Sequence, residues 1–267
     1  MPNELLPVLC IGGLDPSGGA GLLADARACA AFGAYALGVA TAIVPQNTVG
    51  VAMVEPVAPQ VIDAQLRSLL EDVTPAAVKI GMLPGIAAAD VVFNNLRTLR
   101  RRVSIVVDPV FAPSTGPEFS NPQVIEFIAD ELLPLADIVT PNSLEARQLG
   151  AEEITDLDSM ARACLALFER THARHVLLKG GHVILTEEEM QSFSTDLLFD
   201  GTRFLELRAP RETGYEVRGT GCMLAAAIAA QMADGKLAVA AARGAKVWLT
   251  TQIRKAGILG QGRRVAP

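Results

Sequence analysis

The stretch VLCIGGLDPSGGAGLL, residues 8–23, decides the fold. Its first residues, Val8–Ile11, form a short apolar run typical of strands, and a glycine-rich loop follows. Apolar residues then recur at helical spacing until Gly33, which supplies a stop. Because strand, glycine-rich loop and helix follow one another, this stretch predicts the opening unit of an α/β fold.

The glycine-rich loop does not match the common nucleotide-binding sequences. It lacks the G-x-G-x-x-G placement of dinucleotide folds, and G-x-x-x-x-G-K-[ST] occurs nowhere in the chain. We therefore reject a P-loop and disfavour a dinucleotide site. Asp15 and Asp25 flank the start of the helix, and their residue type alone predicts a solvated surface position for both.

The same pattern of strand and helix repeats along the chain. Further strands are predicted at 35–44, 77–83, 103–110, 137–139 and 175–178, with a hairpin at 196–207 that turns at Asp200-Gly201. Helices are predicted at 56–70, 86–99, 159–171 and 237–253. We find no repeat or linker, so a single α/β domain over residues 1–267 is the simplest interpretation.

Composition excludes several classes of function. The chain has 267 residues, half of them hydrophobic, and a net charge of −6 without a dense basic block, which argues against nucleic acid and anionic membranes as partners. Its four cysteines show no C-x-x-C spacing, and its three histidines complete no metal signature. The N-terminus resembles no signal peptide, and no apolar run approaches ~20 residues. We expect a cytoplasmic protein.

The segment Arg218-Gly219-Thr220-Gly221-Cys222, which runs into an alanine-rich stretch ending at Ala230, is the strongest candidate for chemistry. Glycines permit a tight turn, alanines favour a helix, and amides at a helix start hold phosphate oxygens. We expect the positive helix end to lower the pKa of the Cys222 thiol, which suits it to remove a proton from a hydroxyl group. A plain turn before a core helix explains the same residues.

Polar residues follow the predicted strands, where open α/β sheets bind ligands. Gln46 follows the second strand, Asp108 directly follows a buried one, and Lys179 stands before two glycines, within reach of a phosphate. An unpaired buried carboxylate is costly, so Asp108 is expected to face a site. For Gln46 the alternative is a simple turn, and for Met82 it is plain core packing.

Asn142 and Glu145 have two interpretations that their spacing does not separate. Asn142 as an N-cap with Glu145 three residues later makes a capping box. The same oxygens suit Mg²⁺, which prefers hard ligands and often binds through water.

Seven short motifs together resemble the hydroxymethylpyrimidine and phosphomethylpyrimidine kinases of thiamine biosynthesis, in the ribokinase-like superfamily. The motifs are G-x-D-P-S-G-G-A-G at 13–21, Q-N-T at 46–48, K-I-G-M-L at 79–83, V-D-P-V at 107–110, T-P-N-x-x-E-A at 140–146, K-G-G-H at 179–182 and G-T-G-C at 219–222. Their order and spacing extend over nearly the whole chain.

The resemblance implies a three-layer α/β/α ribokinase-like fold with a central, mostly parallel sheet. It implies phosphate transfer from ATP with Mg²⁺, first to 4-amino-5-hydroxymethyl-2-methylpyrimidine and then to its monophosphate. The implied partners are ATP and the small pyrimidine substrate, and a homodimer is the candidate assembly.

The resemblance also implies a role for individual residues. The pyrimidine pocket would be lined by Gly13, Asp25, Gln46 and Met82. Mg²⁺ would be organised by Asn142, Glu145 and Asp108, and Lys179 would lie toward ATP. An anion hole would be formed by Gly219, Thr220 and Gly221, with Cys222 as the catalytic base.

The chain departs from the family near the catalytic segment. Val217 and Arg218 stand where threonine and histidine are usual, and residues 111–116 lack a lysine that members commonly carry. We hypothesise that the missing cation weakens the second phosphorylation, and that Arg218 compensates by gripping phosphate oxygens in a bidentate way. A surface arginine is the alternative.

Other functions stay open at this point. A pyridoxal or pyridoxine kinase acts on a similar hydroxymethyl ring and shares the fold. A catalytically weak binding protein that keeps the fold fits the departures near Arg218. A sugar kinase is disfavoured because such kinases commonly have aspartate at the position of Cys222.

Overall fold

A nine-stranded sheet forms the centre of the computed structural model, which describes residues 5–99, 102–112, 120–181 and 192–267. Its strands are β1 (Leu6–Leu14), β2 (Ala34–Ile43), β3 (Glu55–Pro56), β4 (Ala77–Ile80), β5 (Ser104–Val107), β6 (Ile138–Val139), β7 (Val176–Leu178), β8 (Phe193–Phe199) and β9 (Phe204–Pro210). Their order is β3-β2-β1-β4-β5-β6-β7-β8-β9. Strands from β2 to β7 in this order pair in parallel, whereas β3, β8 and β9 are antiparallel to their neighbours.

Helices cover both faces of this sheet. They are α1 (Gly21–Ala31), α2 (Pro59–Leu70), α3 (Ile86–Leu96), α4 (Pro122–Phe127), α5 (Ser143–Gln148), α6 (Leu157–Thr171), α7 (Thr220–Ala233) and α8 (Ala238–Arg254). Helices α1, α7 and α8 pack on one face, and α2, α3, α4 and α6 pack on the other. This arrangement confirms the predicted three-layer α/β/α fold.

The central strand shows why the sheet needs both layers. Leu9 and Ile11 of β1 point into one apolar cluster, and Val8 and Cys10 point into the other. Successive side chains of a strand alternate between faces, so a run that is apolar throughout must be covered on both sides. The predicted opening unit of strand, loop and helix is confirmed as well, because a loop and then α1 follow β1 in the chain.

Two features went beyond the sequence prediction. The segment 122–135 continues α4 through a π-helical turn at Ile128–Leu132 and a 3₁₀ turn at Leu133–Leu135. A second, small sheet pairs β10 (Val217–Arg218) with β11 (Arg264–Val265), which brings the C-terminal segment beside the catalytic candidate. The helix predicted from residue 56 begins at Pro59 instead, because Glu55–Pro56 pairs with β2.

The order of the strands reverses direction at β1. The neighbours of β1 are β2 on one side and β4 on the other, so the crevice outside their carboxyl ends is the topological switch point where open α/β sheets bind ligands. Gly13 ends β1, and Met82 follows β4. No helix in the described part of the chain is long and apolar enough to cross a membrane.

Candidate active site

The segment Gly219–Cys222 makes a sharp turn into α7. Gly219 has a φ of 69°, and a side chain here would overlap the carbonyl oxygen of Gly19, so only glycine fits. Helix α7 begins at Thr220 without a side-chain cap from Gly219. Its first-turn amides are therefore available to an anion, as the sequence predicted.

Cys222 lies where two helices begin. Its half-buried thiol lies near the amide of Gly21, the first residue of α1, which lowers the pKa of the thiol. Loss of surrounding water nevertheless raises the pKa of this thiol to about 11, although Lys79 lowers it. The expectation of a lowered pKa is therefore wrong for the protein without ligands, because burial outweighs the positive groups.

A buried ion pair lies behind the catalytic candidate. Lys79 Nζ of β4 donates to Asp25 Oδ2 of α1 at 2.8 Å, and both side chains are almost fully buried. The surface position expected for Asp25 is therefore wrong. Burial raises the pKa of Asp25 to about 6, and Lys79 limits that rise. Sequence reasoning gave Lys79 no role, although a lysine inside an apolar strand signals a buried partner.

The second carboxylate expected at the surface, Asp15, is also buried. Its Oδ1 accepts from the amide and hydroxyl of Ser17, and its Oδ2 accepts from the amide of Ala20 at 2.9 Å. The surface prediction is wrong because these local donors replace water. Asp15 thus holds the β1–α1 loop against which Gly219 packs.

Two of the predicted pocket residues touch at the switch point. A methyl group added at Gly13 would lie 3.0 Å from Met82 Sδ and 3.1 Å from Val44 Cγ2, so glycine leaves just enough room for the methionine. Met82 is half-buried, and its carbonyl accepts from Thr41 Oγ1 at 2.6 Å. The structure therefore brings Gly13 and Met82 together.

Gln46 and Arg218 also meet. Arg218 Nη2 donates to Gln46 Oε1, and the guanidinium is buried, with its whole residue 7% exposed. The alternative of a surface arginine is therefore wrong. Arg218 Nε and Nη1 are buried without a hydrogen-bond partner in the described part of the chain. Burial lowers the pKa of Arg218, against a smaller opposing effect of Asp15.

A cluster of charges occupies the ends of β5, β6 and β7. Lys179 Nζ donates to Asp108 Oδ1 at 2.6 Å and lies 3.6 Å from Glu145 Oε2, while Thr140 donates to the same Asp108 oxygen at 2.9 Å. Burial raises the pKa of Asp108, but Lys179 and Lys79 outweigh it and hold this pKa below its usual value. Burial raises the pKa of Glu145 to about 7, the negative charge of Asp108 adds to this rise, and Lys179 opposes it.

This cluster adjoins the anion loop. A methyl group added at Gly221 would lie 3.3 Å from Lys179 Nζ and 3.7 Å from Asp108 Oδ2. The helix-start amides, a cation and a carboxylate therefore share one small region, as the sequence motifs predicted. Thr140, which fixes Asp108, was missed because a threonine before a proline gives no signal of its own.

The capping box predicted for α5 is present. Asn142 Oδ1 accepts from the amides of Leu144 and Glu145, and Glu145 Oε2 accepts from the amide of Asn142 at 2.7 Å. The structural interpretation of the N-x-x-E spacing is thus confirmed, and the role of these residues toward Mg²⁺ stays a prediction.

The donor set fits Mg²⁺ without forming a complete protein cage. Glu145 Oε1 takes no part in the contacts above, and Asp108 Oδ2 faces the anion loop. No group of three or more potential metal-ligating side chains occurs among the described residues. Mg²⁺ is commonly held by one or two carboxylates together with substrate phosphates, so two carboxylates suffice.

Some predicted features lie outside the described residues. These are His182 of the K-G-G-H motif and residues 113–116 of the segment that lacks the family lysine.

Asn47 is a turn residue, because its Oδ1 accepts hydrogen bonds from the amides of Val49 and Gly50.

Together, a doubly wound sheet and helix-start amides beside a lysine and two carboxylates define an α/β phosphotransferase. The chain belongs to the phosphomethylpyrimidine kinase family, whose model matches residues 15–266. The family, the fold and the kinase class predicted from the sequence are thereby confirmed, and ATP is the co-substrate that a kinase family implies.

Individual relatives support this assignment. A hydroxymethylpyrimidine/phosphomethylpyrimidine kinase of Aquifex aeolicus is 38% identical over 254 residues, which cover 95% of this chain and 96% of that protein. The phosphomethylpyrimidine kinase structure from Clostridium difficile has a TM-score of 0.78 at 33% identity, covering 93% of this chain and 99% of the other. The structure of a Staphylococcus aureus pyridoxal kinase in complex with AMP-PCP and pyridoxal has a TM-score of 0.88 at 30% identity, covering 99% of this chain and 94% of the other.

Proposed function

We propose that this kinase uses ATP and Mg²⁺ to phosphorylate 4-amino-5-hydroxymethyl-2-methylpyrimidine and then its monophosphate. One observation carries the proposal: the first-turn amides of α7 lie directly beside Lys179 and Asp108. Phosphate transfer requires aligned reactants and neutralised charge more than covalent chemistry, and these groups supply both.

The roles of the residues follow from their positions. Gly219, Thr220 and Gly221 receive the oxygens of the transferred phosphate, with Lys179 toward the ATP phosphates. Asp108 and Glu145, with Asn142 at the same helix start, hold Mg²⁺, which would neutralise phosphate charge when bound. Gly13, Met82, Asp25 and Gln46 bind the pyrimidine, and the unpartnered buried Oδ1 of Asp25 supports a hydrogen bond to an amino group.

Cys222 is proposed as the base that removes the proton of the hydroxymethyl group. In the protein without ligands its thiol holds its own proton, because its pKa is raised. The thiol must therefore release its proton to solvent as the substrate binds, beside the positive Lys79 and the first-turn amides of α7.

Mass spectrometry of the products tests the proposal. Incubation with hydroxymethylpyrimidine, ATP and Mg²⁺ is expected to give the monophosphate and then the diphosphate, and Cys222→Ala is expected to abolish both. A monophosphate as the sole product would refute the second phosphorylation, and unchanged substrate would refute both phosphorylations. Any turnover that depends on hydroxymethylpyrimidine excludes a binding protein without activity.

A pyridoxal kinase is the second candidate, because the pyridoxal kinase from S. aureus superposes with a TM-score of 0.88. ATP consumption measured with pyridoxal and with hydroxymethylpyrimidine, at matched concentrations, separates the two candidates. A higher kcat/KM for pyridoxal would favour the second.

Two further properties belong to the proposal. A cytoplasmic location agrees with the four cysteines, which are all free thiols. The candidate homodimer is checked by light scattering at micromolar protein, where a monomer mass would contradict it.

A further inference from the structure

Arg218 joins the anion loop to the proposed ring pocket. It lies in β10, one residue before Gly219, and its guanidinium crosses to the loop after β2 to meet Gln46. The two residues are 172 positions apart in the chain, so this contact exists only in the folded protein.

The contact uses one end of the Gln46 amide. A glutamine side chain offers an oxygen that accepts and an NH₂ group that donates. Arg218 Nη2 donates to Oε1, so the NH₂ group is the end that remains for a substrate. An amide that turned over would place its NH₂ group against a guanidinium, two donors facing each other.

Arg218 has little freedom to move away. Its backbone pairs with Val265 of β11, and a methyl group added at Gly19 would lie 3.4 Å from its Nε. Its Nε and Nη1 are buried without partners in the described part of the chain, which is a cost to folding. A buried arginine that keeps such a cost is typical of a residue retained for function.

We propose that Arg218 is a positioning residue that fixes Gln46 with its NH₂ group toward the ring, and so sets which rings the pocket accepts. This rests on the proposed function, in which Gln46 contacts the ring. A ring that presents an unprotonated nitrogen, as the hydroxymethylpyrimidine does, receives a hydrogen bond. A ring that presents an N–H at that point, as a protonated pyridine does, meets two opposed donors and is rejected.

A double-mutant cycle tests whether Arg218 acts through Gln46. Arg218→Met is expected to raise KM for hydroxymethylpyrimidine about tenfold and to leave kcat within about twofold, the effect of losing one well-aligned hydrogen bond. In a Gln46→Ala background the same substitution is expected to change KM less than about twofold. The preference for hydroxymethylpyrimidine over pyridoxal, as a ratio of kcat/KM, is expected to narrow about tenfold in Arg218→Met.

Two further variants serve as controls for the effect of Arg218→Met. Arg218→Lys keeps a donor for Gln46 Oε1 and is expected to retain most of the low KM, which also covers the case that Arg218→Met fails to fold. Arg263→Met is the matched control, because Arg263 acts electrostatically on Arg218 but pairs with Glu216 at 2.7 Å. It is expected to leave KM and the ring preference unchanged.

The results that would contradict the proposed role of Arg218 can be told apart from one another. An equal rise of KM in the parent and in the Gln46→Ala background would overturn the proposal. So would a kcat loss confined to the monophosphate, which indicates that Arg218 grips phosphate instead. A protein without hydroxymethylpyrimidine turnover refutes the proposed function together with this inference. Turnover that is indifferent to Gln46→Ala refutes the proposed role of Gln46 and this inference, and it leaves the proposed function standing. A KM effect of Gln46→Ala without one of Arg218→Met refutes the inference alone.

Discussion

Cys222 combines a favourable position with an unfavourable ionisation state. The positive ends of α1 and α7 face its sulfur, yet desolvation raises the pKa of the thiol to about 11. The sequence revealed the helix start but not the burial, since burial depends on how α1 packs against α7. A base that stays protonated until substrate arrives is protected from alkylation and oxidation.

We therefore predict that Cys222 reacts slowly with iodoacetamide. With a pKa of about 11, on the order of one thiol in a thousand is ionised at pH 8, and the alkylation rate is expected to rise about tenfold per pH unit up to pH 10. Mass spectrometry of Cys222-containing peptides measures this rate, with Cys222→Ala as the blank. A rate that levels off below pH 8.5 would contradict a raised pKa.

Gly219 is the residue of the anion loop that tolerates substitution least. Gly219→Ala is expected to lower kcat about 100-fold, because a displaced loop no longer aims its amides. It is also expected to reduce the free energy of unfolding by more than ~1 kcal/mol. Gly235→Ala is the control, since Gly235 shares a positive φ, 82°, but has open space around it. Equal effects on kcat in both variants would disprove the steric explanation.

At the scale of elements, α1 and β4 are joined by the pair of Asp25 and Lys79. Each charge is buried, so each is tolerated only in the presence of the other. Lys79 also lies close enough to Cys222 to lower the pKa of its thiol. The pair therefore contributes to both the packing of α1 and the electrostatics of the site.

Lys79→Met is expected to destabilise the protein by about 3–5 kcal/mol at pH 8, because it leaves a buried carboxylate unpaired. Without Lys79 the pKa of Asp25 rises above its present value of about 6, while in the unfolded chain it stays near 3.8. The folded variant then keeps a proton that the unfolded chain releases, so stability falls as pH rises. The loss relative to the parent is therefore larger at pH 8 than at pH 5.

Urea unfolding at the two pH values measures this difference. Lys79→Met/Asp25→Asn has no ionisable group at this place. The part of the pH dependence of stability that comes from Asp25 is therefore expected to disappear in the double variant, and part of the stability is expected to return. A loss in Lys79→Met that is the same at pH 5 and pH 8 would show that Asp25 does not carry the effect.

The elements themselves were largely predictable from the sequence. Apolar β-branched runs such as 35–44 and 103–110 became β2 and β5, because glycine, proline or aspartate marks their ends. Asp15 and Asp25 were misplaced because the groups that make their burial possible cannot be read from residue type: a loop's own amides for Asp15, and a lysine 54 positions away for Asp25. The contact between Gln46 and Arg218 has no local signal either.

At the scale of the whole molecule, both apolar layers depend on one sheet. Leu66 on α2 and Ile228 on α7 lie in clusters on opposite faces of the same strands. Loss of either helix layer exposes one face of the strands whose opposite face the other layer covers, so the two layers depend on each other. The single domain over residues 1–267 is therefore the prediction that this shared sheet supports.

Leu66→Ala and Ile228→Ala are each expected to cost about 2–5 kcal/mol and to lower the midpoint of one common unfolding transition. Scanning calorimetry with circular dichroism measures these midpoints, and an exposed site, Leu237→Ala, serves as the control because its side chain is 81% exposed. Two separate transitions, each sensitive to only one core variant, would contradict a single cooperative unit.

The contact of Gly219 with Gly19 has a consequence for genetics. The backbone of Gly219 packs directly on the backbone of Gly19 and Ala20, and the hydrogen bonds of Asp15 set the shape of the loop that carries these two residues. In a saturation screen for loss of growth without thiamine, Asp15 and Ser17 should therefore score like members of the reaction centre, although neither needs to touch a reactant.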